Sequence, residues 1–150
     1  LGGFVSAGWM ETEEIKGVTR VALPEHDGHF SEAENAELAK HKGAVIVVSL
    51  RGRFSYASAR ELVKRIAPMA TRHKGVVFDF TDAAHIDTTT AIAIEEILKR
   101  ARDVHAACVV AGLSGAAEST LASLGVLDVL EPEDVQPTRL DAIRRAGARL

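Results

Sequence analysis

Three short, nearly continuous apolar runs, Ala44 to Leu50, Gly75 to Phe80 and Ala106 to Ala111, constrain this chain most, because a segment of helical character follows each. The first holds the β-branched stretch Val45-Ile46-Val47-Val48. Runs of this length and content read as strands buried on both faces. Strands alternating with helices define an α/β fold: a mixed, mostly parallel sheet of four to five strands, joined by right-handed crossovers and packed with helices.

Helix punctuation fills the intervals. Ser31 with Glu34 forms a capping box opening a short acidic helix before Gly43, and Ser58 with Glu61 forms a second. After it, Leu62, Val63, Ile66 and Met69 share one face, and Pro68 is expected to end or kink the helix. Over residues 88–104, Ile94, Ile97, Leu98 and Ala101 make a buried stripe, while Glu95/Lys99 and Glu96/Arg100 solvate the far face. Ser114 is expected to cap a helix carrying Ala117, Leu121 and Leu124 and stopped by Gly125; Thr138 opens the last helix. Upstream, VTRVAL (18–23) alternates and stops at Pro24, as a half-buried antiparallel strand does. The first core strand is expected to close at Gly52.

Composition removes several classes. At 150 residues, 47% apolar and 26% charged, the chain suits one folded domain. No apolar run approaches the roughly 20 residues of a membrane span. A net charge of -3 lacks the basic footprint of a nucleic-acid binder. That charge is uneven: Glu11, Glu13, Glu14, Glu25, Asp27, Glu32, Glu34 and Glu37 face only Lys16, Arg20 and Lys40 over residues 11–41. The lone Cys108 allows neither an internal disulfide nor a thiolate zinc cluster and reads as a core residue of a cytosolic protein. Leu1 to Met10 has no basic residues leading it, so it is read as a cut end rather than a signal peptide. Residues 1–30 are then a linker or extension with an edge strand, and residues 31–150 the domain.

In open α/β sheets, function gathers at the carboxyl ends of the strands. That edge holds RGRFSYA (51–57), TDAAHIDTTT (81–90) and GLSGA (112–116). Asp87-Thr88-Thr89-Thr90 is the most unusual, with three weak helix formers at a helix start. It reads either as an Asp cap with packed methyls, or as an anion site or phosphorylated threonine at a helix N-terminus. Catalytic patterns fail. Thr89 stands where an aspartic protease needs Gly, Ala116 where a nucleophile elbow needs Gly, and no His follows Ser114. Asp79, Asp82 and Asp87 lack an arranged base, and no Gly-rich phosphate loop occurs, so no enzyme is expected. His26 and His29 read as a solvated turn rather than metal ligands, and His85 likewise. No metal or cofactor is expected.

The segment VVFDFTDAAHIDTTTAIAIEEIL (76–98) resembles the central pattern of STAS domains, shared by anti-sigma-factor antagonists and the tails of SulP anion transporters. ACVVAGLSGAAESTLASLGVLDVL (107–130) is similar to the same family's strand, Gly-Leu turn, helix and Leu-Gly-Val ending. Asp87-Thr88-Thr89 before Ala91, the acidic SEAENAELAKHKG (31–43) and RGRFSYASA (51–59) look like the SulP branch; Tyr56 and Thr90 depart from its usual pattern. The resemblance implies a STAS fold and a regulatory or interaction domain of a sulfate- or bicarbonate-type anion transporter, at the cytoplasmic face of the plasma (inner) membrane. The alternative it implies is a free-standing antagonist switched by phosphorylation of Thr88 or Thr89. Partners implied are the membrane part of the parent transporter, another cytoplasmic protein, or a weakly held nucleotide or anion, with homodimerisation through the parent. Asp87, Thr88, Thr89, Thr90, Phe54, Ser55 and Ser114 are the implied contact residues.

Overall fold

The computed structural model describes residues 9–11, 19–22, 31–41, 43–54 and 56–150. In chain order they form β1 (Trp9–Glu11), β2 (Thr19–Ala22), α1 (Glu32–Ala39), β3 (Val45–Phe54), α2 (Tyr56–Arg72), β4 (Gly75–Ile86), α3 (Thr88–Asp103), β5 (Ala107–Ala111), α4 (Gly115–Ser123), β6 (Val135–Gln136) and α5 (Arg139–Ala148). Two 3-10 turns, Val126–Val129 and Pro132–Asp134, join α4 to β6. His26 and His29 lie outside the described residues.

The strands lie side by side in sequence order, β1 to β6. β1, β2 and β3 pair antiparallel, and β3 to β6 pair parallel. This is the expected mixed, mostly parallel sheet, but with six strands rather than four to five, because the short segments β1 and β6, of three and two residues, add to its two edges. Side chains alternate across it as strand geometry requires. Ile46, Val48, Leu50, Val76, Phe78, Phe80, Cys108 and Val110 pack on the side of α2, α3 and α4. Val45, Val47, Val77, Val109 and Ala111 face the other side, against Leu38 of α1 and Ala142, Ile143 and Ala146 of α5. Both faces of the central strands are therefore dry, which explains their continuous apolar runs.

Several boundaries differ from the sequence reading. β3 continues through Gly52 to Phe54 and β4 runs to Ile86, because the second halves of these strands pair with each other: Arg51 opposite Asp82, Gly52 opposite Ala83 and Phe54 opposite Ile86, with register shifts between. α2 begins at Tyr56, so Ser58 lies within its first turn and cannot be an N-cap; Ala57 and Ala59 favour helix over a cap there. Pro68 sits inside the helix without ending it. Lys64 and Pro68 are exposed, so water can serve the carbonyl that loses its donor, while buried Ile66, Ala67, Met69 and Ala70 anchor both sides. Leu124 is exposed at the end of α4 rather than on its buried stripe, as the chain turns away through Gly125 in the left-handed region. The Ser31–Glu34 capping box and the Thr138 cap are formed.

Candidate functional site

The site is assembled where β4 gives way to α3. Asp87 is the N-cap, and its Oδ1 accepts a hydrogen bond from the Thr90 N–H at 2.8 Å while its carbonyl accepts from Ala91 N–H at 3.0 Å. Helical spacing then separates the three threonines. Thr88 is exposed, Thr89 half-buried and Thr90 fully buried. Thr88 and Thr89 thus carry the hydroxyls a partner can reach, whereas Thr90 belongs to the interior. Phe54 pairs with Ile86 in the register of β3 and β4, so the end of β3 is brought beside Asp87; Ser55 lies outside the described residues.

Ser114 is placed differently. β5 leaves the sheet at Ala111, level with Asp79, whereas β4 continues to Ile86. Gly112, at φ +70, lies so close to Thr81 that a Cβ there would collide with its side chain. Ser114 is exposed at the N-cap position of α4 and makes no side-chain cap bond. The expected cap is absent, and it is Gly112, two residues before Ser114, that lies against Thr81.

An ionic cluster that sequence reasoning missed ties the same edge to the acidic lead-in helix. Arg139, at the start of α5, donates from Nε and Nη2 to the two Glu34 oxygens at 3.1 and 2.9 Å, and from Nη1 to Asp79 Oδ2 at 3.2 Å. Asp79 Oδ1 accepts from Thr81 N–H and Oγ1–H. Burial pushes the Glu34 carboxyl up, but the Arg139 guanidinium and the Ser31 N–H and hydroxyl outweigh it and hold the group below its ordinary value. Arg139 is itself raised, its two carboxylate partners outweighing burial. Asp134, likewise buried, is taken by Arg145 and Arg149, both at 2.9 Å. No local signal announces these pairs. Glu34 is explained by its capping box alone, and Arg139 stands 105 positions away from it.

Among the described residues no group of His, Cys, Asp and Glu is arranged to hold a metal ion. Nor is any described helix long and apolar enough to cross a membrane.

The strand order and the capped helix start at the carboxyl edge of the sheet define a small α/β domain built on one mixed sheet. The sequence model of the STAS domain matches residues 35–142, and the chain belongs to the STAS domain family. Solved structures agree in fold. The SulP transporter STAS domain of Vibrio cholerae is 17% identical, with 79% of this chain and 94% of that one covered at a TM-score of 0.61. An anti-sigma factor antagonist from Mycobacterium paratuberculosis is 18% identical, with 69% and 86% covered at 0.57. SLC26A9 is 12% identical at 0.59 over 70% of this chain, which spans 20% of that transporter's length. No curated protein sequence matches the chain.

Proposed function

We propose that this chain is the regulatory, non-catalytic STAS domain of a SulP-type anion transporter, held at the cytoplasmic face of the membrane, with residues 1–30 as an extension that tethers the domain and adds β1 and β2 to the side of its sheet, and residues 31–150 as the body of the domain. The observation that carries this reading is the clasp on α1. The acidic helix that resembles the SulP lead-in is fastened to the sheet by Arg139 through Glu34 and Asp79, and to α5 by Arg144, whose Nε is 3.6 Å from Glu37. A segment arriving from a membrane part would therefore deliver force or motion to β4, which ends at Ile86 directly before Asp87. Asp87, Thr88 and Thr89, with the β3 end at Phe54 paired to Ile86 beside them, form the edge that meets the transporter body, a second protein or a weakly held anion. Asp87 works against a free anion, since its own carboxylate occupies part of the positive field at the helix start.

The test has two parts. The reading frame upstream of Leu1 should encode hydrophobic spans; a frame that starts near Leu1 without them refutes the proposal. In the full-length protein, Thr89→Ala should weaken anion uptake while leaving the melting temperature of the domain unchanged. Unaltered uptake would remove Thr89 from the contact edge.

A second reading has one specific observation in its favour: Thr88 is exposed at the first position of α3, directly after the cap. A phosphate there adds about −1.5 to −2 charges at a surface helix start without disturbing the core. In a free-standing antagonist, incubation with the cognate kinase should phosphorylate the parent but not Thr88→Ala by mass spectrometry. An unmodified parent eliminates this reading.

A further inference from the structure

A concavity opens away from the Asp87 edge, where α3 ends and β5 begins. It has a volume of about 190 Å³; half-buried Val129 and Leu130 form its apolar wall, with Leu98 and Cys108 almost wholly buried behind them. Arg102, His105 and Arg149 line it as well. Arg149 is already committed to Asp134. The side chains of Arg102 and His105 are exposed at the mouth of the concavity and have no hydrogen bond or ion pair among the described residues.

His105 occupies a conformation that invites explanation. It is the non-glycine residue with a positive φ, 61°, among the described residues. It sits just past the end of α3, where its N–H donates to the Arg102 carbonyl and the Ala106 N–H donates to the Ala101 carbonyl. Glycine is the usual residue at this position of such a helix ending, because it lacks the Cβ that makes the left-handed region costly. The histidine there holds an imidazole beside the hollow against backbone preference, a pattern associated with functional positions. The same bonds occupy the last carbonyls of α3, so the negative end of that helix is partly satisfied before any ligand arrives.

The surroundings select the charge of that ligand. A second hollow, about 350 Å³, shares His105, Ala106 and Arg149 with the first and adds Arg72, His73 and Lys74. The local field therefore favours an anion. Two carboxylates also line the first hollow: Asp134 is matched by Arg145 and Arg149, and Glu131 disfavours a second negative charge on the ligand. We propose that this hollow binds a small organic monocarboxylate, its branched or aromatic group against Val129 and Leu130 and its carboxylate between Arg102 and His105. The site is independent of the Asp87 edge and of attachment to a transporter.

Benzoate is the probe, with neutral benzamide as its shape control, titrated into the 150-residue chain by amide-resolved NMR. Benzoate should give saturable shifts centred on Arg102, His105 and Ala106, with a dissociation constant of about 1 mM or tighter for a ligand of its size. Benzamide should bind about tenfold more weakly, because it forfeits the charge-assisted bonds. Arg102→Gln should weaken benzoate by a similar factor without changing the melting temperature. His105→Gly is the decisive variant: it should melt at the same temperature or higher, since the backbone preference is relieved, yet lose affinity. No saturable shift, equal binding of benzamide, shifts centred on Asp87 to Thr90, or full affinity in His105→Gly would each overturn the proposal.

Discussion

Removing the guanidinium of Arg139 isolates two buried carboxylates at once. The Glu34 side chain is 11% exposed and that of Asp79 4%, while Arg139 retains 24%. Breaking a fully buried pair costs about 3–5 kcal/mol, and an exposed pair contributes about 0–1 kcal/mol. Arg139→Met lies nearer the first limit but is moderated by the exposed flank of Arg139, so the expected loss is about 3 kcal/mol. Asp79 keeps its two Thr81 donors, so the damage concentrates on Glu34 and on Asp79 Oδ2. For a domain of this size the melting temperature should fall by roughly 10 °C. Arg139→Lys should recover part of the loss, since one ammonium cannot reproduce a three-point fork. Arg144→Met removes an exposed partner of Glu37 and serves as the control, with a change below about 0.5 kcal/mol.

The sign of the pH dependence follows from Glu34. Its folded carboxyl lies below the ordinary value of 4.5, so the stability it contributes is present above that value and is lost as pH falls through the folded one. In Arg139→Met both carboxylates are left without their cation, and acid relieves the variant before it harms the parent. The gap between the two proteins should therefore be widest near neutral pH and shrink through the carboxylate range. Thermal melts by circular dichroism at pH 7 and at about pH 4 measure it. A variant that melts with the parent at pH 7, or a gap equal at both pH values, would refute the clasp as an ionic device.

Three further outcomes are expected. Asp87→Ala should lose about 1 kcal/mol in urea denaturation, and an unchanged midpoint would show that the Thr90 N–H finds another acceptor. Burial pushes the Cys108 thiol up to about 12, aided by Asp134 and opposed by Arg149, so it should resist dithionitrobenzoate at pH 8 and react fully in about 6 M guanidinium; native labelling at the rate of a free thiol contradicts this. Gly112→Ala should be strongly destabilising, because the added methyl needs both a positive φ and the space held by Thr81; an unaltered melting temperature would mean that this turn yields.

The sequence alone determined the elements whose causes are local. Val45 to Val48, Val76 to Phe78 and Cys108 to Val110 are apolar on both sides, and that pattern suffices to place them inside a parallel sheet. The Ser31–Glu34 box, the Asp87 cap and the Thr138 cap each span three residues and were legible for the same reason. So was the distinctive Asp87-Thr88-Thr89-Thr90 start, although the sequence treats its threonines alike and only packing separates exposed Thr88 from buried Thr90. Tertiary structure decided whatever rests on pairing across distance. The second halves of β3 and β4 extend because each supplies the other's hydrogen bonds, and Pro68 is tolerated because both flanks of its helix are anchored in the core. Glu34, Asp79 and Arg139 meet across three separate elements, and two carboxylates accept burial only because one planar cation reaches both. Helix and strand periodicities are written into neighbouring residues, but which charges meet depends on how the elements pack.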